Sequence, residues 1–312
     1  MEGTQITLSD ELVTPGSEYK FDGWYINNEK ITLETGNKYT VPSDGTTSIT
    51  IIANFVEKPK TISESTSGVG YYIKKGDEYA IVFADRVAQA STNQKTNTVT
   101  WSSTNTSSCT FPKLTGNENF KTYVISDEEY TDPMTANNSS KGFGTHKVIK
   151  VANDNTGTED RFMAMALTDI DTNSHCWYYS AYSDSRHAVV TETGFNTGKT
   201  NTQTMITKWN NTDFGSKNGN SSYPDVWGIV QTKYNQGWFV PSKDEWSAFA
   251  AYLKENKGLT TSNYNSTFRL SYYYWSSSQS SATYAWSANF RYGYCLSNSV
   301  DSSYYVRLAT TF

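Results

Sequence analysis

The feature that most constrains this chain is the segment 271–305, just before the C-terminus. Of its 35 residues, 8 are Tyr and 11 are Ser, and Lys, Glu, Met and Pro are absent. Tyr offers broad contact area with only two side-chain torsions to restrict, while Ser and Asn form adaptable hydrogen bonds. A stretch so poor in Val, Leu and Ile is not expected to bury all of its Tyr side chains. The segment therefore predicts a binding surface, without identifying the ligand.

The whole chain shares this bias toward aromatic and small polar residues. Its 312 residues predict one large domain plus a small one. Hydrophobic residues make up only 36% but aromatic residues reach 15%, so Trp, Tyr and Phe must replace much of the usual aliphatic core. Abundant Asn, Ser, Thr and Gly favour strands and loops over a helical bundle, and we expect an α+β fold.

Charge and cysteine content exclude several classes of protein. The net charge is -5 and the 26 basic residues are scattered, which argues against a nucleic-acid partner. No stretch approaches the roughly 20 apolar residues of a membrane span, so we expect no membrane insertion. We also expect the chain to be a monomer. The first residues carry no signal pattern, although a removed signal or anchor stays open. Cys109, Cys176 and Cys295 show no metal-site spacing, and whether Cys109 pairs with Cys176 stays open.

The N-terminal part, residues 1–57, predicts a small β-rich domain. Strands are expected over 19–25 and 49–55, with a turn at 26–30 between them. Its pattern, FDGWY followed by a turn, a polar stretch and ANF, resembles the small β-grasp-like repeats of bacterial surface proteins of the internalin B-repeat type. That resemblance implies a spacer. The polar segment 58–68 is expected to be a linker.

From residue 69 the pattern predicts the ligand-binding domain, 69–312. A hairpin is expected around residues 74–77, with its second strand ending at Asp85, and further strands at 147–152 and 161–167. Long polar loops are expected at 91–110 and 127–145. Helices are expected at 200–209 and from a Ser242/Glu245 capping box to about Gly258.

The string GWFVPSKDEW at 237–246 resembles the GWRLPTxxEW element of C-type lectin-like domains related to the formylglycine-generating enzyme. Later landmarks follow in the same order: YWSSS at 274–278, AW at 285–286 and YVRLA at 305–309. The resemblance implies a mixed, loop-rich C-type lectin-like fold with two helices. It also implies that Trp275, Trp286 and Arg307 are framework.

Within that group the chain resembles the variable proteins of diversity-generating retroelements, which are bacterial and phage systems that mutagenise one C-terminal cassette. Mutagenised AAC codons can yield Tyr, Ser, Asn, Asp, Gly, Cys, Arg or Leu but never Lys, Glu, Met or Trp. Residues 271–305 fit that pattern. The resemblance then implies that Gln279 and the two Trp residues are invariant, and that Arg291, Cys295, Leu296 and Asp301 are candidates for diversification.

The predicted ligand contacts are all in this cassette, and we expect the polar face of the alternating run 287–291 to point toward the ligand. After Gly293 the alternation decays, so a loop is expected, with Val300 as an inward anchor and strand returning at residues 305–308. The candidate residues are Tyr272, Ser281, Tyr284, Ser287, Asn289, Arg291, Tyr292, Tyr294, Leu296, Ser297, Asn298, Ser299, Asp301, Ser302 and Ser303.

Enzymatic and metal-dependent alternatives have weaker support. The formylglycine-generating relatives hold copper with a cysteine pair, and the C-terminal half beyond Cys176 offers only Cys295. His175 and Cys176, near Asp169, lack a closing metal motif. The string at 223–225 lacks the paired groups of a calcium-dependent sugar site. We expect no catalytic residue, metal or cofactor.

The resemblance implies a receptor with a massively diversified surface, of the phage-tail or bacterial-adhesin type. Its partner would be a protein or glycan on a cell or phage-host surface, and its location extracellular, on a cell surface or on a virion. The alternatives are a non-diversified adhesin with a fixed ligand and, behind it, an enzyme.

Overall fold

The chain divides into two compact units, Met1–Lys60 and Thr61–Phe312. The structure is a computed structural model that describes residues 3–45, 48–63, 66–88, 98–99, 107–108, 119–132, 144–178, 189–211, 225–258, 260–262, 264 and 269–312. The boundary falls inside the segment expected as a linker. Ile62 is buried in the core of the second unit and its N–H donates to the Tyr123 carbonyl (2.9 Å). The chain from Thr61 onward is therefore part of that unit, which corrects the expected span of the linker.

The first unit is a small β structure. Its strands are β1 (Gln5–Thr7), β2 (Tyr19–Ile26), β3 (Glu29–Lys30), β4 (Lys38–Thr40) and β5 (Ile52–Glu57), with a 3-10 turn at Asp10–Leu12. One sheet has the order β3-β2-β5 and a second pairs β1 with β4. The turn predicted at 26–30 is confirmed only at residues 27–28, because Ile26 ends β2 and Glu29–Lys30 form β3. Asn27 and Asn28 both have positive φ (51° and 68°), which Asn tolerates better than most residues.

The second unit has mixed α and β structure, so the expected α+β class is confirmed. Its strands are β6 (Tyr72–Lys75), β7 (Glu78–Asp85), β8 (Thr98–Val99), β9 (Ser107–Ser108), β10 (Tyr123–Thr131), β11 (Thr145–Val151), β12 (Phe162–Ala166), β13 (Trp238–Phe239), β14 (Tyr273–Gln279), β15 (Tyr284–Asn289), β16 (Tyr294–Ser299) and β17 (Ala309–Thr311). Its helices are α1 (Arg86–Ala88), α2 (Gly198–Asn210), α3 (Val226–Ile229), α4 (Gln231–Asn235) and α5 (Lys243–Lys257).

Two larger sheets organise this unit. Seven strands form one sheet in the order β10-β11-β6-β7-β12-β17-β13, in which only β11 and β6 run parallel. The other has the order β14-β15-β16. Helix α5 contacts both β7 of the larger sheet and all three strands of the smaller one. The predicted cassette is therefore supported by a helix that packs against the main core.

Helix α5 begins and ends where the sequence predicts. The Ser242 side chain accepts from the Glu245 N–H and the Glu245 carboxylate accepts from the Ser242 N–H, so the capping box is complete. Gly258 ends the helix in the left-handed conformation (φ 62°). Trp246, Phe249 and Leu253 are fully buried on its inner face, as the spacing predicts.

The two long loops predicted from the sequence are only partly described by the structure, and one prediction is wrong in part. Residues 127–131 belong to β10, so the predicted loop over 127–145 is wrong there, and much of its remainder lies outside the described residues. The alternating burial of β10 is what a strand with one solvated face shows. Of the loop expected at 91–110, only the short pair β8 and β9 is described.

The carboxyl group of Glu245 makes stability depend on pH. It is fully buried, and this burial raises its pKa from 4.5 to about 7. The native state therefore keeps a proton that the unfolded chain has already released between these values, so stability must fall as pH rises through this window.

We expect the substitution Glu245→Gln to remove this dependence. The wild-type free energy of unfolding should drop by on the order of 3 kcal/mol, relative to the variant, as pH rises from about 4 to about 8. Burial also raises the pKa of Asp225 to about 7. Asp225 is present in both proteins, so its contribution to the pH dependence cancels when the wild type is compared with the variant. Urea unfolding across this pH range measures it, and parallel pH profiles for the two proteins would contradict the prediction.

Candidate ligand-binding surface

The predicted cassette coincides with the three-stranded sheet. In β15, Tyr284–Asn289 pair residue by residue with the whole of β16. The pairing of β14 with β15 is interrupted by an irregularity between Trp275 and Gln279. Most of residues 271–305 thus lie in one antiparallel sheet or in its turns.

Three buried indole groups hold this sheet in place. Trp177 Nε1 donates to the carbonyl of Ser276 (2.8 Å), and Trp246 Nε1 donates to the carbonyl of Trp275 (3.1 Å). The Trp275 indole in turn donates to the carbonyl of His175 (2.7 Å). Two of these Trp residues lie outside the cassette, so β14 is fixed from both sides by bonds to main-chain oxygen atoms.

An ion pair between buried Arg307 and partly buried Asp169 fixes the beginning of β14. Tyr274 donates its hydroxyl proton to Asp169 (3.1 Å), and Arg307 Nε donates to the same carboxylate (2.7 Å). Arg307 is 2% exposed and Trp275 is fully buried, which confirms the expectation that both are framework. Trp286 is half-buried, with Lys243 Nζ 5.0 Å from its ring centroid.

Three consecutive serines belong to the framework as well. Ser276, Ser277 and Ser278 are fully buried. Ser276 Oγ donates to the Trp286 carbonyl (2.7 Å), and Ser278 Oγ donates to the Glu192 carbonyl (2.7 Å). Their hydroxyl groups join β14 to its neighbours, so not every Ser of the cassette belongs to a surface.

Four residues at one end of the sheet form what we call the tyrosine–arginine cluster: Tyr272, Arg291, Tyr292 and Tyr294. Tyr272 is 52% exposed and Tyr292 is 49% exposed. The Arg291 guanidinium lies 5.5 Å from the ring centroids of both, and the rings of Tyr292 and Tyr294 stack at 6.1 Å. The aromatic faces attract the cation and hold it in place. The cluster therefore presents aromatic area and a positive charge together.

The other predicted contacts lie along β16 and around the far end of the sheet. Tyr284 is 48% exposed. Ser297, Asp301 and Ser303 are also exposed. Partly buried positions are Ser281, Tyr294, Leu296, Asn298, Ser299 and Ser302. These side chains reach the surface of the domain at least in part.

The expectation for Ser287 and Asn289 is wrong, because both are fully buried. Ser287 Oγ accepts from Asn298 Nδ2 (2.8 Å), and Asn289 Oδ1 accepts from the Tyr292 N–H (3.0 Å) in the following turn. Polar residues at alternate positions of a strand mark an exposed face only when one face of the strand is packed against the core and the other faces solvent. Here both faces of β15 are covered at this end, and local hydrogen bonds stabilise the buried Ser287 hydroxyl and Asn289 Oδ1. Among the described residues, Asn289 Nδ2 has no hydrogen-bond partner.

The loop expected after Gly293 is a strand instead. Residues Tyr294–Ser299 form β16, whose main chain pairs with β15 whatever its side chains are. Val300 is fully buried, so the predicted inward anchor is confirmed. Strand returns only at Ala309, later than expected, although Tyr304 and Tyr305 form isolated bridges with His175 and Tyr274.

The sequence did not point to Val189 and Val190 as part of this region. They are 48% and 44% exposed, and the Val190 N–H donates to the side chain of Gln279 at the end of β14 (3.1 Å). Their position in the sequence, some 80 residues before the cassette, gives no signal of this contact.

The groups considered for catalysis have structural partners. His175 is 1% exposed and its Nε2 lies 3.0 Å from Asp171, while Asp169 binds Arg307. Burial raises the pKa of the Cys295 thiol to about 11, so the reactive thiolate is scarce at neutral pH. Among the described residues no group of three or more His, Cys, Asp or Glu could hold a metal ion.

A pocket of about 310 Å³ lies apart from the cassette. Its lining includes Phe195, Lys199 and Thr311, and none of its lining residues belongs to 271–305. In the part of the chain that the structure describes, no helix is long and apolar enough to cross a membrane.

Comparison of the chain with protein-family models, with curated proteins and with solved structures finds no match.

A matched pair of substitutions tests the division between framework and surface. Ser287→Tyr forces a large ring into a fully buried site and should lower the free energy of unfolding by about 3 kcal/mol or more. Ser297→Tyr introduces the same change at an exposed position and should alter it by no more than about 0.5 kcal/mol. Urea unfolding of the two variants measures the difference. Equal effects at the two positions would show that the assignment of faces is wrong.

Proposed function

We propose that this chain is a ligand-binding protein whose second unit displays a diversified surface on a C-type lectin-like scaffold, as the variable proteins of diversity-generating retroelements do. The observation that carries the proposal is the separation of roles within 271–305. Trp275 and the serines at 276–278 are buried and bonded to the rest of the unit, whereas the tyrosine–arginine cluster is open to solvent.

Recognition would be noncovalent and would use the Tyr rings as anchors. Tyr and Arg are the residue types most enriched among the energetically dominant contacts of protein interfaces. Because Arg291 is already held between Tyr272 and Tyr292, less side-chain entropy is lost when a ligand binds. Ser297, Asn298 and Asp301 would adjust the polarity of the surrounding surface.

The ligand would be a protein or a glycan on a cell or phage-host surface, and the chain would act outside the cell, on a cell surface or on a virion. The first unit would serve as a spacer. The main alternative is an adhesin with the same contact residues but a fixed ligand. An enzyme of the formylglycine-generating type is the weaker alternative, because burial raises the pKa of the Cys295 thiol to about 11 and so leaves little reactive thiolate.

The diversified function predicts a pattern of natural variation. Sibling genomes that carry this locus should differ at exposed cassette positions such as Tyr272, Tyr292 and Ser297, while Trp275 and Ser276 stay unchanged. Sequencing the locus, its neighbouring reverse transcriptase and its template copy measures this. Substitutions spread over the whole domain, or a locus without a template, would instead favour the fixed-ligand adhesin.

The contact residues can be tested independently of diversification. We expect the double variant Arg291→Ala, Tyr292→Ala to lose at least about tenfold in affinity for any ligand found on a glycan array or an array of purified surface proteins. Its melting temperature should stay unchanged because both side chains are exposed. Tyr19→Ala is the matched control, since Tyr19 is 43% exposed but lies in the first unit. Ligands that bind both variants equally would contradict the assignment.

A further inference from the structure

The pocket of about 310 Å³ lies where the seven-stranded sheet meets two helices. Its lining includes residues of strands β7, β12, β13 and β17 and of helices α2 and α5. All of these elements belong to the second unit. The volume is within the range of roughly 300–1,000 Å³ that small-molecule sites occupy. The pocket is thus large enough for a small ligand, and it is separate from the tyrosine–arginine cluster.

Four of the lining residues are bulky and apolar. They are Phe162, Met163, Phe195 and Phe239, and each is at most 8% exposed. Aromatic rings pack favourably against another ring in offset or edge-to-face arrangements, and a Met thioether also packs well against a ring. These residues therefore suit a ligand with an aromatic body.

The three carboxyl groups of the lining already have partners. Glu159 forms an ion pair with Arg86 (3.4 Å), and Asp160 forms one with Lys121 (2.5 Å). The buried Glu245 carboxylate accepts from two main-chain N–H groups. Because their negative charge is already matched by cations or N–H donors, these groups do not favour a cationic ligand.

Positive charge near the pocket is less well matched. Among the described residues, neither Lys199 of the lining nor the neighbouring Lys75 forms an ion pair. The Lys75 ammonium donates to the carbonyl of Thr311 (3.3 Å), which also lines the pocket, and to two further neutral oxygen atoms. Burial lowers the pKa of Lys75, and repulsion from Lys199 and Lys121 lowers it further, against the attraction of Asp160. Three ammonium groups thus lie near one carboxylate, which favours an anion.

We propose that this pocket binds a small organic anion, whose aromatic ring packs among the Phe and Met side chains and whose carboxylate or equivalent acidic group pairs with Lys199. This would be a second site, in addition to the surface formed by 271–305. The proposal does not depend on the function proposed for the cassette, because no residue of the pocket lining belongs to the cassette.

A suitable probe is indole-3-acetate, which combines a fused ring system with one carboxylate. In a heteronuclear NMR titration of the full chain, the amide signals of residues 198–200 should shift along a saturable curve, with a dissociation constant of about 1 mM or below. Indole-3-acetamide lacks the charge and acetate lacks the ring, so each should bind at least about tenfold more weakly. Equal binding of indole-3-acetamide would overturn the assignment of an anionic ligand.

Removal of one charge tests the role of Lys199. Lys199→Gln should weaken binding of indole-3-acetate by roughly tenfold, because a charge-assisted hydrogen bond is lost. Lys254→Gln is the matched control, since it removes the same charge from an exposed position of α5 that does not line the pocket, and it should leave the dissociation constant unchanged. Both lysines are exposed, so both variants should fold. Equal binding by the two variants would overturn the proposal.

A bulky substitution tests the location independently of charge. Thr200 and Thr207 are both exposed on α2, but only Thr200 lines the pocket. Thr200→Trp should therefore abolish detectable binding of indole-3-acetate, whereas Thr207→Trp should retain it. The double variant Arg291→Ala, Tyr292→Ala should also retain it. Binding that survives Thr200→Trp but is lost in the double variant would place the probe at the tyrosine–arginine cluster and overturn the proposal.

Discussion

The hydrogen bonds from buried Trp indoles to main-chain carbonyls are the interactions on which the binding region depends. An indole N–H is a donor only, and it needs a partner when it is buried. In β14 the acceptors are the carbonyls of Ser276 and Trp275, and the indole of Trp275 continues the chain to His175. A carbonyl oxygen is present whichever side chain the residue carries. The sheet is therefore held by bonds that do not constrain the side chains on its surface.

This arrangement explains why one residue type has two roles in the same 35 residues. Ser276 and Ser278 use their hydroxyl groups to bond buried carbonyls, whereas Ser297 is exposed. The Tyr residues likewise fall into a buried group and an exposed group. Tyr274 is fully buried, stacks on Trp246 at 5.0 Å and bonds Asp169, while Tyr292 is half exposed beside Arg291. Position in the sheet decides the role of a residue, and composition does not.

The same distinction sets what the sequence could predict. Helix α5 was predictable at both ends, because a capping box and a terminal Gly are local signals. Burial of Trp275 and Arg307 followed from landmarks that stand in a fixed order. Burial of Ser287 and Asn289 could not be foreseen, since it depends on elements distant in sequence that cover the second face of β15. Strand β16 was missed because edge pairing needs no side-chain pattern, and the contact of Val190 with Gln279 spans 89 residues.

If the cassette is diversified as proposed, the variation of its side chains carries a particular cost in specificity. Proteins protect an edge strand by keeping a charge, a Pro or a bulge at a chosen position, and a position that is free to change cannot be relied on for that purpose. Under the proposed diversification, codons that never yield Lys or Glu would also remove two of the charged residues most used for protection. The main-chain groups at the edge of β16 would then be able to pair with another chain in most variants, unless constant residues beside the strand prevent this pairing.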